Sequence, residues 1–256
     1  MEETVGGVRY DVDGPVAHIT LARPEKRNAQ DPELWLRLAA IGDALPHTVR
    51  AVVVGGDGPS FSAGLDRNQF GSLGSTLSDG DAAALDRIAS YQAGFSWLRR
   101  PEFVSIAAVQ GHAIGAGFQL ALACDIRVAT QDAQFTMAEP SLGLVPDLGG
   151  TQVLVELVGY ARALEICATG RRVGASEARE IGLVNVVVPS EELTGAVGDL
   201  AAAVCASPHG AVSMTKALLL GAGGRSYPDQ LLAERQAQLA RIRALSEGTD
   251  GPGTHA

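Results

Sequence analysis

Two glycine-bearing turns are the places where this sequence can do chemistry. The first, Gly58-Pro-Ser-Phe-Ser-Ala-Gly-Leu-Asp66, follows a β-rich run, and its glycines and small residues let the backbone bend and expose an N–H group. The second runs from Val109 to Asp125 and places glycines between a strand pattern and an apolar helix pattern. Such a turn directs unpaired N–H groups and the positive end of a helix dipole at one point. The second turn therefore suits a developing oxyanion, whereas the first turn, taken alone, is an ordinary loop.

The second turn also invites comparison with a dinucleotide-binding loop, because Gly115-Ala-Gly117 stands between a strand and a helix. Leu120 occupies the place of the third glycine in G-x-G-x-x-G, and the turn lies in the middle of the chain instead of in a first βαβ unit. Phosphate-loop, hydrolase-elbow and zinc patterns are absent from the sequence, and its three cysteines lack C-x-x-C spacing. We predict no nicotinamide, flavin or metal cofactor.

The elements that must position these turns alternate between strand and helix, which predicts an α/β fold. Helical spacing of apolar residues joins Leu34, Leu38 and Ile41, and a second such pattern joins Leu85, Ile88 and Phe95. The predicted strands are residues 16–21, 51–54, 104–109, 126–129 and 184–188.

The C-terminal quarter differs, because the β-rich runs stop at Pro189. We predict a core domain of residues 1–190 and a helical oligomerisation region of residues 191–256, with a disordered tail from Ser246 to Ala256. The small, polar stretch between Phe70 and Asp81 is typical of a mobile loop over a pocket. The predicted C-terminal helices are residues 191–206, 210–220 and 228–245. The last helix carries an apolar stripe that needs cover from the core or from another subunit, formed by Leu232, Leu239, Ile242 and Leu245.

Charge and composition limit the partners. Among 256 residues, 46% are hydrophobic and 19% are charged, as in a globular protein. The formal net charge of -9 argues against nucleic acid and anionic membrane as partners, because both attract a basic surface. The N-terminal sequence has no apolar signal segment, and the apolar runs are too short to span a bilayer. We expect a cytoplasmic protein.

The chain resembles the crotonase superfamily, which contains the enoyl-CoA hydratases and isomerases, from about Val8 to its C-terminal helices. The order and spacing of the matching segments carry the resemblance. These segments are Leu21–Ala29, Phe61–Asp66, Gln110–Gly117, Cys124–Arg127, Ala133–Phe135, Glu139, Gly143–Pro146, Gly149–Thr151, Ala168–Gly170 and Gly182–Val184.

This resemblance implies a spiral of ββα units followed by a helical trimerisation region, assembled as a homotrimer or hexamer. It implies an acyl-CoA thioester as the ligand, with coenzyme A as part of the substrate instead of a cofactor. By position, the backbone N–H groups of Leu65 and Ala116 correspond to the two oxyanion-hole donors. The corresponding candidates for binding the substrate and its CoA are Arg23, Lys26, Arg27, Ala63, Asp66, Gly115 and Gly117. For Lys216 we expect an exposed lysine, with contact to a neighbouring subunit's CoA as the alternative.

The resemblance also assigns the catalytic side chains. Glu139 occupies the position of a catalytic glutamate, but Gln119 stands where hydratases carry their other one. An amide orients groups without exchanging a proton near neutral pH. Asp147 matches a carboxylate of dienoyl-CoA isomerases, and a turn or helix-cap role is its structural alternative.

These residues predict an enzyme in which Glu139 transfers protons, with double-bond isomerisation favoured over hydration. Two other functions stay open. One is enoyl-CoA hydration despite Gln119. The other is a non-catalytic acyl-CoA-binding protein that has lost its chemistry with the second glutamate.

Overall fold

The structure is a computed structural model that describes residues 4–66, 68–69 and 79–248. Its strands are β1 (Val8–Asp13), β2 (Val16–Leu21), β3 (Ala51–Gly56), β4 (Val104–Val109), β5 (His112–Ile114), β6 (Ile126–Thr130), β7 (Gln134–Thr136), β8 (Val173–Gly174) and β9 (Val186–Val188). Its α-helices are α1 (Pro32–Asp43), α2 (Asp81–Ser96), α3 (Ala116–Ala123), α4 (Gly150–Val158), α5 (Tyr160–Thr169), α6 (Ala175–Glu180), α7 (Leu193–Ala206), α8 (His209–Ala222) and α9 (Tyr227–Ser246).

Within the described residues, a six-stranded sheet has the order β1-β2-β3-β4-β6-β9, and a three-stranded sheet has the order β5-β7-β8. The larger sheet is parallel from β2 to β9, and β1 joins it as an antiparallel edge. Parallel strands are usually covered on both faces, and the residues of β3 from Ala51 to Val54 are all buried. The five predicted strands all occur, although the last begins at Val186 instead of residue 184.

The chain coils because each turn of backbone contributes to both sheets. One unit is β4, β5 and α3, and the next is β6, β7 and the segment leading to α4. β5 pairs in parallel with β7, so successive units stack. A preceding turn joins the same stack through a bridge between Ser62 and Ala113. This arrangement is the predicted spiral of ββα units.

Helices α1 and α2 pack against each other beside the first turns. Asp31 caps α1 by accepting a hydrogen bond from the N–H of Leu34 at 2.9 Å. The rings of Trp35 and Tyr91 lie 5.2 Å apart between the two helices. The predicted apolar face of α2 is wrong at Leu85, which is 67% exposed. α2 instead turns Ala84, Tyr91 and Phe95 towards the core.

The C-terminal helices α7, α8 and α9 lie close to the predicted segments. α7 covers the outer face of the large sheet, where Val197 and Ala201 pack on β3, β4 and β6. α9 packs against α8 and buries none of its residues. No helix in the described part of the chain is long and apolar enough to cross a membrane. The predicted loop before Asp81 and the tail beyond Gly248 lie outside the described residues.

The expectation of an exposed lysine at position 216 is wrong. Lys216 is only 7% exposed, because α8 packs its Nζ atom against the core. That atom donates to Asp125 Oδ2 at 2.6 Å and to the carbonyl oxygen of Phe103 at 2.8 Å. Lys216 therefore holds α8 on the body of its own chain.

Candidate functional site

The two glycine-bearing turns are joined by backbone hydrogen bonds. The N–H of Ser62 donates to the carbonyl oxygen of His112 at 2.8 Å, and the N–H of Ile114 donates to that of Ser62 at 3.0 Å. A third bond, from Gly115 to the carbonyl oxygen of Thr136 at 2.8 Å, connects the second turn to the end of β7. Segments far apart in sequence thus meet at one edge of the small sheet.

Glycine is required where these turns approach each other. Gly64 has φ +80°, and a Cβ atom there would lie 2.4 Å from the carbonyl oxygen of Ile114. A Cβ atom at Gly117 would lie 2.6 Å from the carbonyl oxygen of Ser62. Gly115 has φ +51°, and its Cβ would lie 3.1 Å from Glu139 Oε1. Gly64 and Gly117 thus bring the backbones of the two turns together, and Gly115 brings the second turn close to the Glu139 carboxyl.

Leu65 and Ala116 present backbone N–H groups without hydrogen-bond partners among the described residues. Gln30 bonds to the residues on either side of Leu65, so the N–H of Leu65 is turned away from Gln30. Ala116 is the first residue of α3, where a helix leaves its N–H groups unpaired. Ala116 is also 96% buried, and an unpaired buried N–H is rare unless a ligand uses it.

A buried polar network that the sequence interpretation missed supports the first turn. Ser62 Oγ donates to the carbonyl oxygen of Asn28 at 2.8 Å and accepts from Gln30 Nε2 at 3.0 Å. Gln30 Oε1 accepts from Trp35 Nε1 at 2.8 Å. Asn28 follows the Arg-Pro-Glu-Lys-Arg segment, but nothing in the local pattern indicates that it and Gln30 are fully buried.

Glu139 lies at the start of a 3₁₀ turn after β7, directly below Gly115. The residue is 9% exposed, and its Oε1 accepts from Gln119 Nε2 at 2.7 Å. Its Oε2 is buried without a partner among the described residues. Burial raises the pKa of Glu139 and the charge of Asp147 adds to this, while the hydrogen bond from Gln119 opposes it. Gln119 therefore holds Oε1 of this carboxyl, and Oε2 is available to a ligand.

Gln119 is fully buried in α3, and both ends of its amide are engaged. Its Oε1 accepts from the N–H groups of Leu148 at 2.9 Å and Gly150 at 3.4 Å. Its Nε2 donates to Glu139. The predicted orienting group thus contacts the catalytic candidate directly.

Asp147 lies in the turn before α4, close enough to Glu139 for their charges to interact. The residue keeps exposed surface, but surrounding protein atoms remove part of its hydration and raise the pKa of its carboxyl. Gln92 of α2 donates to the Asp147 carbonyl oxygen at 2.6 Å, a contact that the sequence interpretation missed. The helix-cap alternative does not apply to Asp147, because Gly149 is the N-cap of α4 and receives no side-chain capping bond.

The basic cluster lies beside the first turn. Arg23 forms an ion pair with Asp31, whereas Lys26 Nζ lies 3.3 Å from Asp66 Oδ2. The N–H of Asn68 and the Lys26 ammonium hold the pKa of Asp66 below its ordinary value. Arg27 is exposed, and its carbonyl oxygen accepts from the N–H of Ala63 at 2.8 Å.

Two large cavities lie away from this site. One, of about 900 Å³, lies under α8 beside Asp125 and Lys216. The other, of about 750 Å³, lies between β2 and α7. Neither cavity is lined by Glu139, Leu65 or Ala116. The candidate catalytic residues therefore lie outside these two cavities.

Comparison with known proteins gives consistent matches along the chain. A family model described as enoyl-CoA hydratase/isomerase matches residues 11–250. The peroxisomal Delta(3,5)-Delta(2,4)-dienoyl-CoA isomerase of Arabidopsis thaliana is 34% identical over 227 residues, which cover 85% of this chain and 82% of that protein. The probable enoyl-CoA hydratase echA8 of Mycobacterium tuberculosis is 32% identical over 226 residues, 88% of this chain and 85% of that protein.

A solved structure agrees with these sequence matches. A candidate enoyl-CoA hydratase from Thermobifida fusca YX, crystallised in complex with CoA, is 52% identical to this chain. The TM-score is 0.89, and the match covers 94% of this chain and 95% of that one. The spiral of ββα units with C-terminal helices is therefore the crotonase fold.

Proposed function

Because the chain belongs to the enoyl-CoA hydratase/isomerase family, we propose that it is an acyl-CoA double-bond isomerase whose proton-transfer residue is Glu139. The observation that carries the proposal is the Glu139 carboxyl: Gln119 holds Oε1, and Oε2 is buried beside the second glycine turn with no partner among the residues that the structure describes. A carboxylate oxygen left unpaired in a buried place is costly, and it is expected where a substrate completes the site.

The proposed reaction uses backbone N–H groups to stabilise charge and carboxyl side chains to transfer protons. The thioester oxygen accepts hydrogen bonds from the N–H groups of Leu65 and Ala116. Glu139 removes a proton from the acyl chain, the electron pair moves into an enolate, and those N–H groups stabilise the charge on oxygen. Asp147 then gives a proton to another carbon, which shifts the double bond with no net gain or loss of atoms. The proton on Glu139 returns to Asp147 through water to close the cycle.

Isomerisation is favoured over hydration because Gln119 replaces a carboxyl. Its amide does not exchange protons near neutral pH, and its donor group is already bonded to Glu139. Hydration is the second candidate, and relatives named as enoyl-CoA hydratases favour it. A non-catalytic binding protein has no need for a buried carboxylate oxygen without a partner, which argues against that third function.

We also propose that CoA binds along the basic cluster. Lys26 and Arg27 are exposed cations beside the first turn, where they are available to phosphate groups. Arg23 contributes through its ion pair with Asp31, which holds its guanidinium near the same segment. Ala63 and Asp66 flank the donor at Leu65, and Gly115 and Gly117 flank the donor at Ala116.

The proposed assembly is a homotrimer or a hexamer built on the C-terminal helices. α9 rests on α8, and its apolar side chains are about half exposed, including Leu239 at 49% and Ile242 at 53%. Replacing both residues by glutamate should lower the mass found by light scattering, since charges on a buried interface oppose association. A wild-type chain that is a stable monomer at micromolar concentration would exclude this assembly.

The experiment that tests the function compares three substrates: a 2-enoyl-CoA, a 3-enoyl-CoA and a 3,5-dienoyl-CoA. Ultraviolet absorbance and product analysis separate double-bond migration from addition of water. We expect the wild type to isomerise faster than it hydrates, Asp147→Asn to damage mainly the dienoyl reaction, and Gln119→Glu to raise hydration. Fast hydration by the wild type that persists in Glu139→Gln would refute the proposed chemistry.

A further inference from the structure

We propose that Gln119 and Gln92 are positioning residues: Gln119 determines which oxygen of Glu139 is available, and the two glutamines together hold the backbone that carries Asp147. This inference rests on the proposed function, because it assigns to both glutamines the task of holding the two carboxyls of the proton relay. Gln119 lies on α3, Gln92 lies on α2, and their amides meet the same turn from two sides.

The amide of Gln119 has one allowed orientation. Its oxygen accepts from two backbone N–H groups, those of Leu148 and Gly150. If the amide were flipped, its NH₂ group would face those two donors and no hydrogen bond would form. The NH₂ group must therefore point at Glu139 Oε1, 2.7 Å away.

This orientation determines which oxygen of Glu139 can react. Oε1 receives the hydrogen bond from Gln119, and Oε2 has no partner in residues 4–66, 68–69 and 79–248. The hydrogen bond from Gln119 stabilises the ionised form of Glu139 and so lowers its pKa, whereas burial raises that pKa. The titratable groups that face Glu139 are Asp147, from the turn before α4, and Cys167, from α5.

The backbone that carries the second carboxyl, Asp147, is held at a single peptide group. The Asp147 carbonyl oxygen and the Leu148 N–H belong to the same planar unit. Gln92 Nε2 donates to that oxygen at 2.6 Å, and Gln119 Oε1 accepts from that N–H at 2.9 Å. These two hydrogen bonds restrain the orientation of the peptide group that follows Asp147, and with it the position of the backbone from which the Asp147 side chain extends.

The test measures kcat/KM against pH for a 3-enoyl-CoA and a 3,5-dienoyl-CoA. Gln119→Met removes all three hydrogen bonds while keeping a similar volume. We expect a loss of about 100-fold, typical of a misplaced catalytic group, and an acid limb that moves to higher pH by about one unit, because the ionised Glu139 loses its donor. Gln92→Met should lower the dienoyl reaction about fivefold and leave the acid limb of the 3-enoyl reaction in place.

Two further variants keep the test decisive. Gln152→Met is the matched control, since Gln152 is an exposed glutamine that bonds to Glu156 on the same helix, and it should behave as the wild type. If Gln119→Met does not fold, Gln119→Glu retains an oxygen for the Leu148 and Gly150 N–H groups. Its carboxyl beside Glu139 should also move the acid limb upwards, because two adjacent carboxyls share a proton.

The results distinguish a failure of the positioning role from a failure of the proposed isomerase function. If a folded Gln119→Met or Gln119→Glu variant has the same acid limb of the pH profile as the wild type, the positioning role is overturned. In that case, an inactive Glu139→Gln variant still supports the proposed function. Wild-type activity in Glu139→Gln overturns the proposed function itself. A shifted limb in Gln119→Met, with Gln152→Met unchanged, supports both.

Discussion

Glu139 and Lys216 are both buried charged residues, but their surroundings satisfy the charge to different degrees. The Lys216 ammonium donates to Asp125 Oδ2 and the Phe103 carbonyl oxygen, and it lies 5.1 Å from the centre of the Phe103 ring. Asp125 Oδ2 also accepts from both the N–H and the Oγ of Ser105. Around Glu139, by contrast, one carboxylate oxygen has no partner in the described part of the chain.

The difference separates a structural charge from a functional one. Burial lowers the pKa of Lys216, and the carboxylate of Asp125 opposes that shift. The charge of Lys216 is therefore balanced by a group of the same chain. At Glu139, the described residues supply one hydrogen bond from a side chain, and within the same residues the backbone N–H groups of Leu65 and Ala116 have no partner. Polar groups left incomplete together, in one place, indicate a site that a ligand completes.

Substitution of Glu139 should have the largest effect on activity. Glu139→Gln keeps an oxygen for the Gln119 donor but removes the base. We expect kcat/KM to fall by about 10²- to 10⁴-fold for every substrate. Steady-state assays of the purified variant measure this loss, and Glu156→Gln, on the exposed side of α4, serves as the control. Equal activity in the two variants would mean that Glu139 is a structural carboxyl like Asp125.

The unpaired N–H groups give the next largest effect. Ala116→Pro removes one donor at the first position of α3, where a helix tolerates proline. Loss of one oxyanion donor lowers kcat by about 10²- to 10³-fold. Ala116→Gly is the matched control, because it changes the same residue and keeps the N–H. If a correctly folded Ala116→Pro retains full turnover, the donor has been wrongly assigned.

Disrupting the buried ion pair of Lys216 and Asp125 should lower stability without lowering activity. Asp125→Asn leaves the buried Lys216 ammonium without its counter-ion, and we expect a loss of about 3 kcal/mol in the free energy of unfolding. Asp43→Asn breaks an ion pair with Arg100 in which the carboxylate is 80% exposed, and it should cost less than about 0.5 kcal/mol. Denaturant unfolding compares the two, and equal losses would contradict the contrast between buried and exposed pairs.

The smallest effect is a pH-dependent gain of stability in Glu139→Gln. Because the folded-state pKa of Glu139 is raised, the folded protein binds this proton more tightly than the unfolded chain, and ionisation costs stability as pH rises above 4.5. The amide cannot ionise, so the variant should be more stable at neutral pH by about 1 kcal/mol, a gain that disappears below pH 4.5. Thermal unfolding across pH measures this difference, and a variant less stable than the wild type at neutral pH would contradict a pKa of Glu139 that burial raises.

Several features could be predicted from the sequence alone because they depend on neighbouring residues. The alternation of β-rich and helical segments placed β2, β4 and the C-terminal helices within a few residues of their positions. The glycines of the two turns predicted exposed N–H groups, since a strand followed by glycine and a helix start leaves donors unpaired whatever the rest of the chain does. The family resemblance added Glu139 and Asp147 as candidate catalytic residues.

Other features were decided only by the tertiary structure. The partners of Gln119 lie 20 to 31 positions along the chain, Gln92 meets Asp147 from 55 positions away, and Lys216 meets Asp125 from 91. Helical spacing described α2 as amphipathic, but only packing against α1 determined that Leu85 faces outwards. A side chain's role depends on which distant groups the fold brings within about 3 Å of it, and local sequence carries no record of those distances.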